Sequence, residues 1–240
     1  MIQFYSPDIA TSSMLPEEEA RHCIKVLRHS VGDTITVMDG KGNRYTCTLM
    51  SDNPRKAEVD IVSVEKIPDC WDTFITIIVA PTKNIDRMEW MTEKLTEIGV
   101  NRIIPIKCEH SERKDIKLDR LNRIAVSAAK QSLKASVPEI TEMIPLKALL
   151  SSSAYSAEKL FVGYCDSAVE RKLLAKELHP GIRSVNIMIG PEGDFSPEEI
   201  STVMDSGYVP VTFGDNRLRT ETAAIVACDT VHIVNQLKNL

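Results

Sequence analysis

From Phe74 onward, short apolar runs alternate with stretches in which apolar residues recur every three or four positions. The runs Phe74–Ala80, Arg102–Lys107, Glu139–Ile144, Lys159–Tyr164, Ser184–Gly190 and Tyr208–Phe213 read as strands. The stretches Asp86–Ile98, Leu118–Leu133, Leu146–Ser151, Ala168–Leu178, Pro197–Asp205 and Thr220–Leu237 read as helices. Strand and helix in alternation predict βα units and a largely parallel sheet, an α/β fold. The first third of the chain has a different texture. Its strand candidates, Ile2–Tyr5, Thr34–Met38, Arg44–Met50 and Ala57–Glu65, are separated by turn signals, with one helix from Pro16 to about Arg28. Asp39-Gly40-Lys41-Gly42 supplies the positive φ values of a hairpin turn. Lys66-Ile67-Pro68-Asp69-Cys70-Trp71-Asp72 breaks both patterns, so we expect a β-rich unit over residues 1–68 and an α/β unit over residues 73–240.

Two helices are informative in themselves. Met88, Met91, Leu95 and Ile98 recur at three- and four-residue spacing and should face the sheet as core, with Gly99 ending the helix. In the last helix, Ala223, Ala224, Ile225, Val226, Ala227, Val231, Ile233 and Val234 make more than one face apolar. Such a helix is deeply buried or meets another chain.

Composition narrows the class. With 240 residues, 43% hydrophobic and 26% charged, the chain can build a core without disulfide or metal support. Its six cysteines are scattered with no Cys-x-x-Cys pair, which fits a reduced cytoplasmic protein and no structural metal. The start lacks a signal-peptide pattern and no apolar stretch is long enough to span a membrane. A net charge of −5 disfavours a phosphate-rich partner, but nine basic against four acidic residues between Arg102 and Lys134 permit a local basic face. A solvated helix face is the competing explanation of that run.

The chemistry concentrates in two glycine turns, each following an apolar run and leading into a helix: Gly190-Pro191-Glu192-Gly193-Asp194-Phe195 and Gly214-Asp215-Asn216-Arg217-Leu218-Arg219-Thr220-Glu221-Thr222. Ligands of open α/β sheets bind beyond the carboxyl ends of the strands, where such turns form the walls. Gly190 and Gly193, lacking Cβ atoms, should let backbone groups approach a ligand closely. Ser196-Pro197-Glu198-Glu199 reads as an N-cap with first-turn proline and acids. Arg217 and Arg219 could bind a phosphate or stabilise an oxyanion, unless they pair with Glu221 and Glu192. Walker and dinucleotide glycine patterns are absent. None of the five histidines is assigned to catalysis, and Cys108-x-His110 alone cannot hold a metal.

These turns, with Gly190-Pro191-Glu192-Gly193 before Phe195 and Leu218-Arg219-Thr220-Glu221-Thr222-Ala223 after Gly214, resemble the paired C-terminal motifs of bacterial small-subunit (16S) ribosomal RNA uracil-N3 methyltransferases, of the SPOUT class. Upstream, His22-x-x-x-Val26-Leu27-Arg28, Asp39-Gly40, Glu93-Lys94-x-x-Glu97-Ile98-Gly99-Val100 and Ser111-Glu112-Arg113 extend the similarity over nearly the whole chain. The resemblance implies a PUA-like β-barrel that helps hold RNA, then a trefoil-knotted α/β domain that binds S-adenosylmethionine and pairs as a homodimer. It implies cofactor contacts at Val162, Gly163, Ile189, Gly190, Gly193, Phe213, Gly214, Leu218, Arg219 and Thr222, and RNA contacts at His22, Arg28, Arg44 and Arg113. The partner would be 16S rRNA or the small ribosomal subunit. Asp194 stands where a third glycine is common, and Lys130 and Lys134 where Glu and Arg are usual.

Uridine N3 carries a proton at neutral pH, so its methylation needs that proton removed or the resulting anion stabilised. We expect Arg219 to stabilise the charge on O2 and O4, with Glu192 or Glu221 as proton acceptor. Two other classes remain open at this point. One is a SPOUT-like methyltransferase with a different target; the other is a non-catalytic RNA-binding protein of ribosome assembly.

Overall fold

The computed structural model describes residues 2–69, 72–166 and 169–237. Cys70 and Trp71 of the expected boundary, and Ala168 at the start of an expected helix, lie outside them. The chain forms two compact units. One holds residues up to Asp69 together with Ala125–Val137; the other holds residues 72–124 and Pro138 onward.

In the first unit, β1 (Gln3–Tyr5), β2 (Thr34–Met38), β3 (Asn43–Leu49) and β4 (Val59–Lys66) form a sheet in that order. The first pair is parallel and the others antiparallel. Ser13–Leu15, following α1 (Ile9–Ser12), pairs with residues 57–59, which carries the sheet towards barrel closure. Phe4, Ile35, Val37, Cys47 and Leu49 fill the interior, as strand alternation requires. At the β2–β3 turn Gly40 and Gly42 take φ of 75° and 91°, and Asp39 accepts the amides of Lys41 and Asn43 at 2.7 and 3.0 Å.

The expected helix to Arg28 is broken. α2 (Glu17–Arg21) passes into a π-helical turn over His22–Val26, and Arg28 closes it in the left-handed region at φ 60°. The widened turn buries Cys23 while leaving Val26 65% exposed. Residues 125–137 belong to this unit through backbone and side-chain bonds: Gln3 donates to the carbonyl of Lys134 at 2.7 Å and Lys130 pairs with Glu19 at 2.5 Å. That pair explains a lysine at position 130, because Glu19 supplies its countercharge. With side chains 21% and 14% exposed, the pair is substantially desolvated, so Lys130→Ala should destabilise the protein by about 1–3 kcal/mol in chemical denaturation. Charge reversal at both positions should restore much of the loss.

The second unit is built on a mainly parallel sheet. Its strands are β5 (Phe74–Val79), β6 (Arg102–Lys107), β7 (Glu139–Ile140), β8 (Ile144–Pro145), β9 (Lys159–Gly163), β10 (Lys172–Leu173), β11 (Ser184–Ile189) and β12 (Val209–Thr212). The order is β10-β12-β9-β11-β5-β6-β7, with β8 also on β6. The single strand expected at Glu139–Ile144 is two, because one extra residue must be absorbed between its pairings with Arg102–Ile103 and Ile106–Lys107. The helices are α3 (Ile85–Ile98), α4 (Leu118–Gln131), α5 (Leu146–Leu150), α6 (Leu174–Glu177), α7 (Pro197–Asp205) and α8 (Thr220–Leu237). Only α6 stands where a helix from Ala168 to Leu178 was expected, since Lys172 and Leu173 are extended against β12.

Asn84 caps α3 by accepting the amide of Asp86, Gly99 ends it at φ 121°, and Met88, Met91 and Leu95 are fully buried. Each such side chain contributes about 1.5–3 kcal/mol of burial. After β12 the chain returns as α8 to the middle of the sheet, packing on α3, β5 and β11.

Candidate active site

Three adjacent strands of the sheet, β12, β9 and β11, end at one edge. Gly163 closes β9 between Val211 and Ile189, while Gly190 and Gly214 follow the other two. The two glycine turns and the residues after Gly163 enclose a cleft of about 960 Å³ at this carboxyl edge. That is ample for a nucleoside-sized ligand. The turns are tied together: Thr220 Oγ1, at the start of α8, donates to the carbonyl of Gly190 at 3.1 Å.

Three of these glycines also make room within the protein itself. A Cβ on Gly190 would lie 2.8 Å from Phe195 Cε2, and one on Gly163 2.9 Å from Phe213 Cε2. Both therefore seat an aromatic ring. Phe195 is buried in the same cluster as Ile78, Val162, Met188 and Ile200. Gly193 faces His110, with an added Cβ 3.2 Å from His110 Cβ. Gly214 meets nothing within 4 Å, but its φ of 133° excludes other residues without strain.

Asp194 occupies the left-handed region at φ 62°. This is why glycine suits the position, and Asp holds it by accepting the Phe195 amide at 2.9 Å. Asp194→Ala loses that bond and keeps the strain, so it should cost about 1–2 kcal/mol by thermal or chemical denaturation. Asp194→Gly should be close to neutral. Immediately downstream, Ser196 and Glu199 form the reciprocal capping box that starts α7.

Of the anticipated cofactor residues, Gly163, Ile189, Gly190, Phe213, Gly214, Leu218 and Arg219 line the cleft. Val162 is fully buried core, and neither Gly193 nor Thr222 lines the cleft. Glu192 lies on its wall, with Oε1 accepting the Lys83 amide at 3.0 Å. Glu221 is turned away: it is buried, 3.7 Å from Arg87 Nε, and one carboxylate oxygen has no hydrogen-bond partner. The two carboxylates considered as partners for Arg217 and Arg219 are thus engaged elsewhere. Both arginines are exposed on the cleft.

Tyr164, Asp166 and Arg171 also line the cleft and were not anticipated. Their signal was present, since Gly163 ends an apolar run as Gly190 and Gly214 do. Arg171 donates to the carbonyls of Tyr164 and Cys165 at 3.2 and 3.4 Å, holding the chain after β9. Burial, then the nearby Asp166 and Asp194, raise the Tyr164 phenol, so it remains a donor. Burial pushes the Cys108 thiol up to about 12, so it behaves as an inert core residue.

The RNA candidates fare unevenly. Arg28 is exposed, and His22 sits edge-on to Phe4 at 5.9 Å. Arg44 donates to the Leu133 carbonyl at 2.6 Å, and Arg113 donates to the carbonyls of Thr82 and Lys83. Arg102 and Arg120, like Lys130, pair with carboxylates, so part of the basic run between Arg102 and Lys134 is neutralised. Among the described residues, no helix is long and apolar enough to cross a membrane, and no group of three or more His, Cys, Asp or Glu could hold a metal.

Comparison with known proteins gives this geometry a context. Residues 70–232 match the model of an RNA methyltransferase domain, and residues 15–62 that of an RNA methyltransferase PUA domain. The ribosomal RNA small subunit methyltransferase E of Bacillus subtilis is 27% identical over 232 residues, covering 92% of this chain and 89% of its own. A probable rRNA methyltransferase from Porphyromonas gingivalis superposes with a TM-score of 0.93 at 43% identity, over 99% of this chain and 100% of that one. The ribosomal RNA small subunit methyltransferase E of Neisseria gonorrhoeae, solved with S-adenosyl methionine bound, gives 0.84 at 29% identity over 98% of both chains.

Proposed function

The chain belongs to the RNA methyltransferase family, with a PUA domain ahead of the methyltransferase domain, and from that premise we propose that it methylates N3 of a uridine in small-subunit ribosomal RNA, using S-adenosylmethionine. The observation that carries this reading is the cleft at the ends of β12, β9 and β11, walled by the two glycine turns and by the exposed Arg219. S-adenosylmethionine supplies a methyl group activated by its sulfonium.

The residues lining the cleft fit that cofactor. Ile189, Phe213 and Leu218 offer apolar contact for its adenine, and the strand ends offer backbone donors and acceptors in a site of sufficient volume. The chain's own contribution is position and charge. Methyl transfer needs an in-line nucleophile, so fixed geometry supplies much of the rate. Arg219 faces the cleft and stabilises the negative charge that loss of the N3 proton spreads over O2 and O4. Glu192, on the cleft wall, is the better placed of the two carboxylates to take that proton; Glu221 is committed to Arg87.

RNA contacts through His22 and Arg28 belong to this reading, with residues 1–68 serving as the RNA-holding domain and 73–240 as the catalytic one. So does homodimerisation through the catalytic domain in the cytoplasm. Trp90 on α3 and Ile233 and Leu237 on α8 are 48%, 47% and 59% exposed, although α3 and α8 pack on one another. Wild-type protein should sediment at twice the 26.8 kDa chain mass, and Ile233→Asp should shift it towards the monomer. The function is tested by incubating the protein with methyl-labelled S-adenosylmethionine and either purified small-subunit rRNA or intact small subunits. Label recovered as N3-methyluridine is expected; label on another base, or none on either substrate, would refute it.

A further inference from the structure

This inference rests on reading the cleft as the cofactor site. It concerns Arg113, which the resemblance places at the RNA and whose surroundings give it other work. Its Nε donates to the Thr82 carbonyl at 3.1 Å and its Nη2 to the Lys83 carbonyl at 2.7 Å. The Lys83 amide in turn donates to Glu192 Oε1 at 3.0 Å, and Glu192 forms part of the cleft wall.

Two residues just before Arg113 reach the first glycine turn and the capping box of α7 that follows it. His110 Nδ1 lies 3.0 Å from the Asp194 carbonyl; because a carbonyl can only accept, that ring nitrogen is the donor. The Glu109 amide donates at 2.8 Å to Glu199 Oε1, whose other oxygen takes the Ser196 amide. The segment is itself folded tightly, with Ser111 Oγ accepting the Cys108 amide at 2.9 Å.

We infer that residues 108–113 brace the first glycine turn, and that Arg113 is a positioning residue for the cleft acting through Lys83 and Glu192. A planar guanidinium bonded to two successive carbonyls fixes the orientation of the peptide between them. That aims the next donor, the Lys83 amide, at Glu192. Without Arg113 the loop at Thr82-Lys83 and the Glu192 side chain lose their common reference, and the cleft wall loosens. The ion pair between Lys83 and Glu112, at 3.0 Å with both side chains more than half exposed, adds little.

The test is calorimetric titration of wild type, Arg113→Ala and Arg113→Lys with S-adenosylmethionine, beside binding of purified small-subunit rRNA across a salt series. Arg113→Ala should bind cofactor about tenfold more weakly, as expected for loss of charge-assisted bonds, with Arg113→Lys between it and wild type. RNA affinity and its salt slope should be unchanged. Arg113→Ala combined with Glu192→Ala should be no weaker than the worse single variant, since both break one chain of contacts. Wild-type cofactor affinity in Arg113→Ala, with RNA binding weakened and its salt slope reduced by about one, would overturn the inference and return Arg113 to the RNA. Should the alanine variant not fold, the lysine variant decides alone: it keeps the charge, so an RNA contact leaves cofactor binding intact and a brace does not. A wild-type protein that binds no cofactor would instead remove the reading of the cleft, and the inference with it.

Discussion

Arg219→Ala is expected to slow single-turnover methylation at saturating cofactor and RNA by about 10²–10³-fold, the usual effect of removing one charge-stabilising donor from an active site. The backbone at this point is anchored. Thr220, the next residue, is buried and donates to the Gly190 carbonyl, and the Arg219 carbonyl accepts the Ala223 amide as α8 begins. The exposed side chain is left to act from a residue that lines the cleft. Because the arginine serves charge that develops on the uracil, cofactor affinity should change little. Arg219→Lys keeps the charge but loses the planar fork, so its rate should fall between the two. Arg217, two residues earlier and farther from the anchored start of α8, should show a smaller loss on the same substitution. Wild-type single-turnover rates in Arg219→Ala, with cofactor binding intact, would remove this arginine from the chemistry.

Gly190→Ala should destabilise the protein by about 1–3 kcal/mol and weaken cofactor binding, because the added methyl collides with a buried ring. Its Cβ would stand 2.8 Å from Phe195 Cε2 and 3.0 Å from Cδ2, while Phe195 is only 4% exposed and packs in the core beneath the cleft. The ring cannot yield without disturbing Ile78, Met188 and Ile200. Trimming the ring should therefore help: Phe195→Leu in the Gly190→Ala background should recover part of the loss, a positive coupling between neighbours. Gly214→Ala supplies the contrast. Its cost comes from φ alone, in a position open to space, so no second substitution should relieve it. Denaturant unfolding of Gly190→Ala, Phe195→Leu, their double variant and Gly214→Ala separates the two causes. An uncoupled Gly190–Phe195 pair would show that Gly190 serves the ligand and not the ring.

The elements that the sequence made legible are those set by local rules. The α7 start at Pro197, with Ser196 and Glu199 as reciprocal caps, and the buried methionine stripe of α3 follow from spacing and side-chain chemistry within a few residues. So did the cleft, since a glycine after an apolar run marks a strand end. What local rules could not deliver was decided by distant partners. The π-helical turn at His22–Val26 gives way to a left-handed arginine that no pattern announces. Glu139–Ile144 splits because β6 sets its register, and residues 125–137 join a unit whose strands lie far earlier in the chain. The same holds for the site. Arg219 lines the cleft, whereas Glu221, next but one in sequence, is carried away by the helical turn and paired with Arg87. Arg113 has the charge of an RNA contact, and only its carbonyl partners 30 residues upstream show that it holds the protein's own backbone.

The most direct test of the central claim is nucleoside mass spectrometry of small-subunit ribosomal RNA from cells with and without this protein. Loss of N3-methyluridine from the deletion strain, restored by the wild-type gene and not by one carrying Arg219→Ala, is the predicted result. N3-methyluridine retained at its wild-type level in the deletion strain would contradict it.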